Sequence, residues 1–198
     1  MRLTFIVFML GAAVLGVVGI AVAVAMAILR SRSSPAAKQL SQLIASAPSN
    51  ESLLRGMAEY LKWADELPSI KPLSTATRRH FNQAIRQLYS PDDELFPLLK
   101  QPLTGASEFE IGSHAALVHQ VTGVVFAIRV GTYLCMLRLP AEARAEALRI
   151  GAAWSQSPLP TMKVDVAGTF GDEWVIPNQL SPRIGEFYRA ACEAAGVV

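Results

Sequence analysis

The sequence predicts an α+β fold that follows a single hydrophobic helix at the N-terminus. Three observations lead to this fold class. The chain opens with a long uncharged stretch, its middle carries apolar residues at helical spacing, and its second half changes to the alternation of an antiparallel β-meander, followed by C-terminal helices. The 198 residues divide into a transmembrane anchor (1–30), a linker (31–37), a helical segment (38–105) and an α+β domain (106–198).

The hydrophobic stretch is long enough to cross a bilayer. From Leu3 to Leu29 no residue is charged, and Thr4 is the only polar side chain. These 27 residues exceed the roughly 20 that a transmembrane helix needs, whereas a cleaved signal peptide has an apolar core of about 7–15 residues. The length favours a retained anchor in the lipid bilayer. A cleaved signal peptide, with Ala25-Met26-Ala27 before the cut, is the alternative.

Basic residues on either side of the stretch predict its orientation. Arg30, Arg32 and Lys38 follow it, and Arg2 precedes it. Lys and Arg near the ends of a membrane helix tend to stay in the cytoplasm. This balance predicts a single-pass protein of the bacterial inner (cytoplasmic) membrane with a cytoplasmic soluble domain. A periplasmic domain is the alternative, because the N-terminal amine adds a positive charge at the other end.

Small residues share one side of the predicted membrane helix. They recur at steps of three and four, and small side chains let two membrane helices approach closely. One interpretation is a homodimer formed through this face; the other is that Ala and Gly are simply common in membrane helices. The residues are Ala12, Gly16, Gly19, Ala23 and Ala27.

Charge and cysteine content narrow the classes of partner. From Pro35 onward the chain has 15 basic and 16 acidic residues, a net charge of −1. Nucleic-acid binding depends on clustered Lys and Arg, so we expect no nucleic-acid partner. Cys135 and Cys192 are too few for a disulfide framework and lack metal-ligand spacing, so we expect no metal and no cofactor.

The helical segment contains three amphipathic stretches and a shorter fourth. Asn50 stands where it can cap the second helix by accepting a hydrogen bond from the first turn. Ser90 followed by Pro91 is typical of a helix start. The predicted helices are Lys38–Ala47, Glu51–Glu66, Thr75–Tyr89 and a short one that begins at Ser90.

After Gly105 the apolar residues change from a period of 3.6 to a period of 2. Glycines in two short gaps suit tight hairpins, so the strands predict a three-stranded antiparallel meander. The strands are Leu117–Val121, Val124–Val130 and Tyr133–Leu139. The predicted remainder is a helix over Pro140–Ile150, extended pieces at Met162–Val166 and Glu173–Ile176, and a final helix from Ser181-Pro182 to Gly196.

A two-residue turn at Gly131-Thr132 predicts the register of the last hairpin. It pairs Val130 with Tyr133, and alternation then sorts both strands into two sets. The set assigned to the core is Phe126, Ile128, Val130, Tyr133, Cys135 and Leu137. The set on the other, open face is Val125, Ala127, Arg129, Leu134, Met136 and Arg138.

Four residues of the predicted open face form the candidate partner-binding surface: Arg129, Leu134, Met136 and Arg138. An apolar patch rimmed by arginines suits a protein partner that carries carboxylates. The alternative is that the preceding helices cover this face and use the arginine stems as packing.

No set of residues predicts a catalytic centre. Cys135 with His119 comes nearest to a nucleophile and its base, but a buried thiol that nothing activates is inert. A metal site would draw on Glu108, Glu110, His114 and His119, which lack the usual ligand spacing.

A basic stripe on the third helix has two interpretations. It could meet anionic lipid headgroups, or it is an ordinary solvated helix face. The stripe consists of Arg78, Arg79 and Arg86 together with His80 and Gln83.

Scattered residues of the second half resemble a known family. They are Gly123-Val124-Val125-Phe126-Ala127, Leu134, Arg138-Leu139-Pro140, Arg144, Ala147-Leu148, Gly151-Ala152, Met162-Lys163 and Trp174-Val175-Ile176-Pro177. Over roughly Ala115–Ala195 the order of elements is similar to the TfoX N-terminal domain and its YjbR-like relatives. The resemblance implies a small α+β domain with a closing C-terminal helix, acting as an interaction or regulatory module without a known catalytic centre.

Taken together, these observations predict a membrane-tethered protein-interaction or regulatory module without catalytic activity. Two alternatives remain open, an enzyme of unknown type and an anchored subunit of an envelope complex or immunity-type protein.

Overall fold

The computed structural model describes residues 34–60, 66–88, 103–130, 134–150, 165–179 and 181–197. The chain divides into two compact units, Met1–Ala36 and Ala37–Val198, and nearly all described residues belong to the second. None of the helices within the described ranges is long and apolar enough to cross a bilayer. The predicted anchor, Leu3–Leu29, lies outside those ranges.

The described chain forms one antiparallel sheet with helices, so the predicted α+β class is confirmed. The helices are α1 (Pro35–Ser46), α2 (Glu51–Tyr60), α3 (Thr75–Leu88), α4 (Ala141–Arg149), α5 (Val166–Phe170) and α6 (Ile184–Gly196), with a 3₁₀ turn at Pro48–Asn50. The strands are β1 (Ile70–Pro72), β2 (Ala106–Ile111), β3 (His114–His119), β4 (Val125–Val130), β5 (Leu134–Arg138) and β6 (Trp174–Val175). They lie side by side in chain order, each antiparallel to the next.

The predicted three-stranded meander is present as β3, β4 and β5, but the sheet continues on both sides of it. Strands β1 and β2 were not predicted from the sequence. In β2, Phe109 and Ile111 alternate with glutamates, and the two-residue turn Gly112-Ser113 follows. Both turn residues have positive φ, 54° and 70°, as the tight turns of two-residue hairpins require.

The helix predictions hold with shifts at their ends. Helix α1 begins at Pro35, inside the predicted linker. Val166 was predicted to be extended but opens helix α5, where Asp165 Oδ1 accepts a hydrogen bond from Gly168 N (3.1 Å). The predicted helix start at Ser90 lies outside the described residues.

Helices cover both faces of the sheet. On the front face, α1, α2 and α5 pack against the strands; on the back face, α4 and α6 do so. The front cluster includes Ile44, Leu53, Met57, Phe109, Ile128, Met136 and Phe170. The back cluster includes Leu117, Phe126, Cys135, Leu137, Ala147, Phe187 and Tyr188. A sheet buried on both faces explains why its central strands contain so few polar residues.

The predicted register of the β4–β5 hairpin is wrong by one residue. Val130 pairs with Leu134 rather than with Tyr133, and Arg129 pairs with Cys135. A one-residue slip sends every side chain of β5 to the opposite face. The two sets of residues assigned to core and open face therefore do not exist as predicted.

A bulge in β4 adds a second departure from simple alternation. Leu117 of β3 pairs with Ala127, whereas Val118 pairs with Val125, which leaves Phe126 as an extra residue. Phe126 and Ala127 consequently both join the back cluster.

The buried Asn50 side chain joins the front helices to the β3–β4 turn. Its Nδ2 donates to Ile44 O (2.9 Å) and to Gly123 O (2.8 Å), and its Oδ1 accepts from Val125 N (2.9 Å). The sequence predicts a capping role for Asn50, and the three bonds described for its amide join it to backbone groups of other segments. Gly123, at φ 70°, fits the close approach, since a Cβ there would lie 2.7 Å from Leu43 Cγ.

We predict that Asn50→Ala lowers the free energy of unfolding by about 2–4 kcal/mol, because it leaves buried backbone groups without partners. The measurement is urea unfolding of the full chain in detergent, followed by tryptophan fluorescence. The control is Asn82→Ala, which alters an exposed asparagine of α3 and should change stability by less than about 0.5 kcal/mol. Equal effects of the two substitutions would contradict the structural role of Asn50.

Helix α2 touches α5 at a glycine. A Cβ on Gly56 would lie 2.5 Å from Phe170 Cδ1 and 2.6 Å from Thr169 O. The oxygen belongs to the backbone and cannot rotate away, so the contact requires a residue without a side chain.

Gly56→Ala should destabilise the domain by about 1–3 kcal/mol through this overlap. Gly185→Ala is the matched control, because a Cβ at Gly185 in helix α6 meets nothing within 4 Å. There the helix propensity of alanine should leave stability unchanged or raise it by up to about 1 kcal/mol. Thermal unfolding of both variants tests the pair, and a stable Gly56→Ala protein would show that α2 and α5 do not pack this closely.

Candidate functional site: the Arg138 cleft

The four predicted partner-binding residues do not form one surface. Arg129 lies on the back face and is 3% exposed, and Met136 lies on the front face and is fully buried. The side chain of Leu134 is not among those that the structure describes. Arg138, whose side chain is 23% exposed, reaches the surface at the end of β5. The expectation of a shared open face is therefore wrong, because the hairpin register differs and helices cover both faces.

Arg129 is packed within the fold. Its guanidinium carbon lies 4.7 Å from the centre of the Phe81 ring, a cation–π contact. On the same face the Cys135 thiol donates a hydrogen bond to Met136 O (3.7 Å), and burial raises the pKa of Cys135 and of Tyr188. Burial lowers the pKa of the Arg129 guanidinium, because in each case burial disfavours the charged form. These groups fill the back of the sheet.

Cys135 and His119 do not meet. Cys135 pairs with Arg129, whereas His119 stands at the far end of β3 opposite Ala106. The His119 ring contacts Thr122 Oγ1 (Nδ1 at 3.1 Å), and the Thr122 hydroxyl donates to Ala195 O (2.8 Å). This histidine therefore belongs to the contact between the β3–β4 turn and the end of α6.

We predict that both cysteines resist thiol reagents in the folded protein. Cys135 and Cys192 are free, only 3% and 6% exposed, and burial raises the pKa of each thiol. Because the thiolate is the reacting form, both should label with Ellman's reagent only after unfolding in guanidinium chloride. A thiol that reacts within seconds in the native protein would contradict this structure.

The residues considered for a metal site serve other contacts. The Glu110 carboxylate accepts hydrogen bonds from Thr77 Oγ1 (2.7 Å) and Ser74 N (3.4 Å) and lies 3.1 Å from Lys71 Nζ. Burial alone would raise the pKa of Glu110, but the bonds from Thr77, Lys71 and Ser74 bring it below its ordinary value. Among the described residues, no group of three His, Cys, Asp or Glu side chains could hold a metal ion.

The other two candidates for that site have separate partners. Glu108 forms an ion pair with Arg78 of helix α3. The His114 ring contacts Arg129 O through Nδ1 (2.8 Å), and burial lowers its pKa.

In the basic stripe of helix α3, Arg78 forms an ion pair with Glu108 of strand β2. Arg79, His80 and Gln83 are exposed, as a solvated helix face would be. The side chain of Arg86 lies outside the description.

The surface feature that retains a predicted site residue is a cleft at the end of β5. Strand β5 ends at Arg138, Pro140 then precedes helix α4, and helix α6 passes beside this junction. The cleft has a volume of about 290 Å³. Its described lining residues are Arg138, Leu139, Pro140, Ala141, Glu173, Ala191, Ala194 and Ala195.

A tight turn brings Glu173 to the cleft. Gly171 has φ 111°, a conformation that residues with a side chain rarely adopt, so the turn favours glycine. Glu173 O then accepts a hydrogen bond from Leu139 N (3.0 Å), which sets the turn beside the end of β5.

An ion-pair network ties together the two helices that flank the cleft. Arg183, at the start of α6, pairs with Glu146 of α4 and with Glu186 (2.8 Å). Arg149 pairs with Glu146 as well (2.6 Å). The hydrogen bonds from Arg149 and Arg183 lower the pKa of Glu146 to about 2, so its carboxylate is ionised at any ordinary pH.

The charges of the cleft are close together but incompletely paired. Arg138 Nε and Glu173 Oε1 are 3.7 Å apart, beyond hydrogen-bond distance. Arg138 Nη1 is buried and has no hydrogen-bond partner in the described part of the chain. The opposite wall is apolar and consists of small side chains from α6. The described lining residues include no serine, cysteine or histidine.

Only Arg138 among the described lining residues of this cleft was predicted from the sequence. Arg138 was predicted because, with Arg129, it rims the apolar residues Leu134 and Met136 in the assumed register. Glu173 and the three alanines were missed because β5–β6 pairing and the position of α6 join segments far apart in the chain. The helical spacing of Ala191, Ala194 and Ala195 was the available signal for a closely approached helix face.

The small-residue face of the predicted membrane helix, from Ala12 to Ala27, lies outside the described residues. No protein-family model matches the chain, and searches of curated proteins and of solved structures found no match. The resemblance to the TfoX N-terminal domain therefore stays a prediction.

Proposed function

We propose that this chain is a membrane-tethered interaction or regulatory module that recognises its partner through the Arg138 cleft and performs no chemistry of its own. The observation that carries the proposal is the uncharged stretch Leu3–Leu29, followed directly by a folded domain. A span of that length is stable in a bilayer and would hold the domain at the membrane surface.

The contacts of the described domain support a binding role. Several polar residues of the sheet are engaged in packing, hydrogen bonds or ion pairs: Glu108, Glu110, His114, His119 and Cys135. The Arg138 cleft instead offers charged groups beside an apolar wall at the surface. Such a mixture of apolar lining and a few polar groups is typical of ligand pockets.

We predict that the full chain, expressed in a bacterium, stays in the membrane pellet after washing with alkaline carbonate. Leu15→Arg together with Val18→Arg should move it to the supernatant or abolish its accumulation, because each arginine at the centre of a span costs roughly 2.5–3.5 kcal/mol. The matched control is Leu15→Val with Val18→Leu, which preserves hydrophobicity and should remain in the pellet.

Recovery of the unsubstituted chain in the supernatant without detergent would overturn the tethered-module proposal. The same fractions, analysed by mass spectrometry, report whether the N-terminus is retained, and loss of residues up to about Ala27 would identify a cleaved signal peptide instead.

A further inference from the structure

We propose that the Arg138 cleft binds a free α-amino acid with an aliphatic side chain. This inference rests on the proposed function, since it names the ligand of the same site. In the bound state, the guanidinium of Arg138 would hold the ligand carboxylate, Glu173 would hold the ammonium group, and the alanine wall would cover the side chain.

The first support is the state of the Arg138 guanidinium. Its Nη1 has no acceptor in the described part of the chain, and its Nε lies 3.7 Å from the Glu173 carboxylate. A charged donor left unsatisfied is unfavourable, and arginine is suited to hold a carboxylate with two parallel hydrogen bonds. Rotation of the guanidinium toward the cleft would present such a pair of donors.

The second support is the position of Glu173. Its side chain is 34% exposed beside the cleft and lies near Arg138 without a hydrogen bond between them. An α-amino acid zwitterion carries a carboxylate and an ammonium group on the same carbon atom and so matches both residues at once. The negative charge of Glu173 also disfavours phosphate, which is more negatively charged than a carboxylate at neutral pH.

The third support is the size and the lining of the cleft. Its volume of about 290 Å³ is at the lower limit of ordinary ligand pockets, roughly 300–1,000 Å³, and so fits a small metabolite. Ala191, Ala194 and Ala195 present methyl groups, and Leu139 and Pro140 extend the apolar surface. An aliphatic side chain would be removed from water there, whereas a charged one would lose hydration without gaining a partner.

The test is isothermal titration calorimetry of the full chain in phospholipid nanodiscs, with L-leucine as the probe. Two analogues each lack one charge: 4-methylpentanoate lacks the ammonium group, and L-leucinamide lacks the carboxylate. Inorganic phosphate serves as the dianion. We expect saturable binding of L-leucine, binding of each analogue weakened by roughly tenfold or more, and no heat from phosphate.

Three variants locate the binding. Arg138→Met keeps the apolar stem and should abolish binding of L-leucine. Glu173→Gln should weaken L-leucine to the level of 4-methylpentanoate and leave the analogue itself unchanged. Ala194→Leu keeps both charges but fills the cleft, so it should also abolish binding. Thermal unfolding of each variant confirms that the domain is folded.

Each contrary outcome is decisive. Equal binding of L-leucine and 4-methylpentanoate would remove Glu173 from recognition and overturn the zwitterion. Unchanged binding in a folded Arg138→Met or Ala194→Leu protein would place the ligand elsewhere. If L-leucine gives no heat while the chain still fractionates with membranes, the ligand class is wrong and the tethered-module proposal stands. If the chain binds L-leucine but is found in the supernatant, the amino-acid site stands and the tethered-module proposal is wrong.

Discussion

The fold depends on a single buried amide. Asn50 follows α1 directly through a 3₁₀ turn, and its three hydrogen bonds reach backbone groups at the end of that helix and at the entry to β4. Backbone groups of a turn that is covered by a helix are shut away from water and need partners. One side chain supplies them for two segments more than 70 positions apart in sequence, and so fixes where the front helices lie on the sheet.

Burial of both sheet faces decides where a binding site can be. Helices from before and after the strands occupy the two faces, so side chains such as Arg129 and Met136 are withdrawn from solvent whatever their polarity. Polar side chains that a ligand can reach are then found at the rims of the sheet, where strands end and loops begin. The Arg138 cleft lies at such a rim, which is where loops usually carry function on a rigid scaffold.

Local signals in the sequence predicted most helices and the central strands, and non-local packing set the rest. The β-branched residues between Val125 and Val130 identify a strand. The partner of Val130 could not be read from the residues around Gly131, and a one-residue error in that pairing exchanges the two faces of β5. Strand β2 was not predicted because Glu108 and Glu110 interrupt its apolar residues. The partners of these glutamates, Arg78 of helix α3 and Lys71 of strand β1, lie far from them in the sequence. Arg138 was found from its neighbours, whereas Glu173 required the β5–β6 pairing.

The outer strands of the sheet affect how copies of the molecule would meet at high concentration. In the described part of the chain, β1 has three residues and ends in Pro72, and β6 has two. Proline donates no backbone hydrogen bond, and strands this short give an incoming strand little to pair with. Neighbouring copies would therefore gain little by pairing their outer strands. The molecule can reach a high local concentration without forming fibrils.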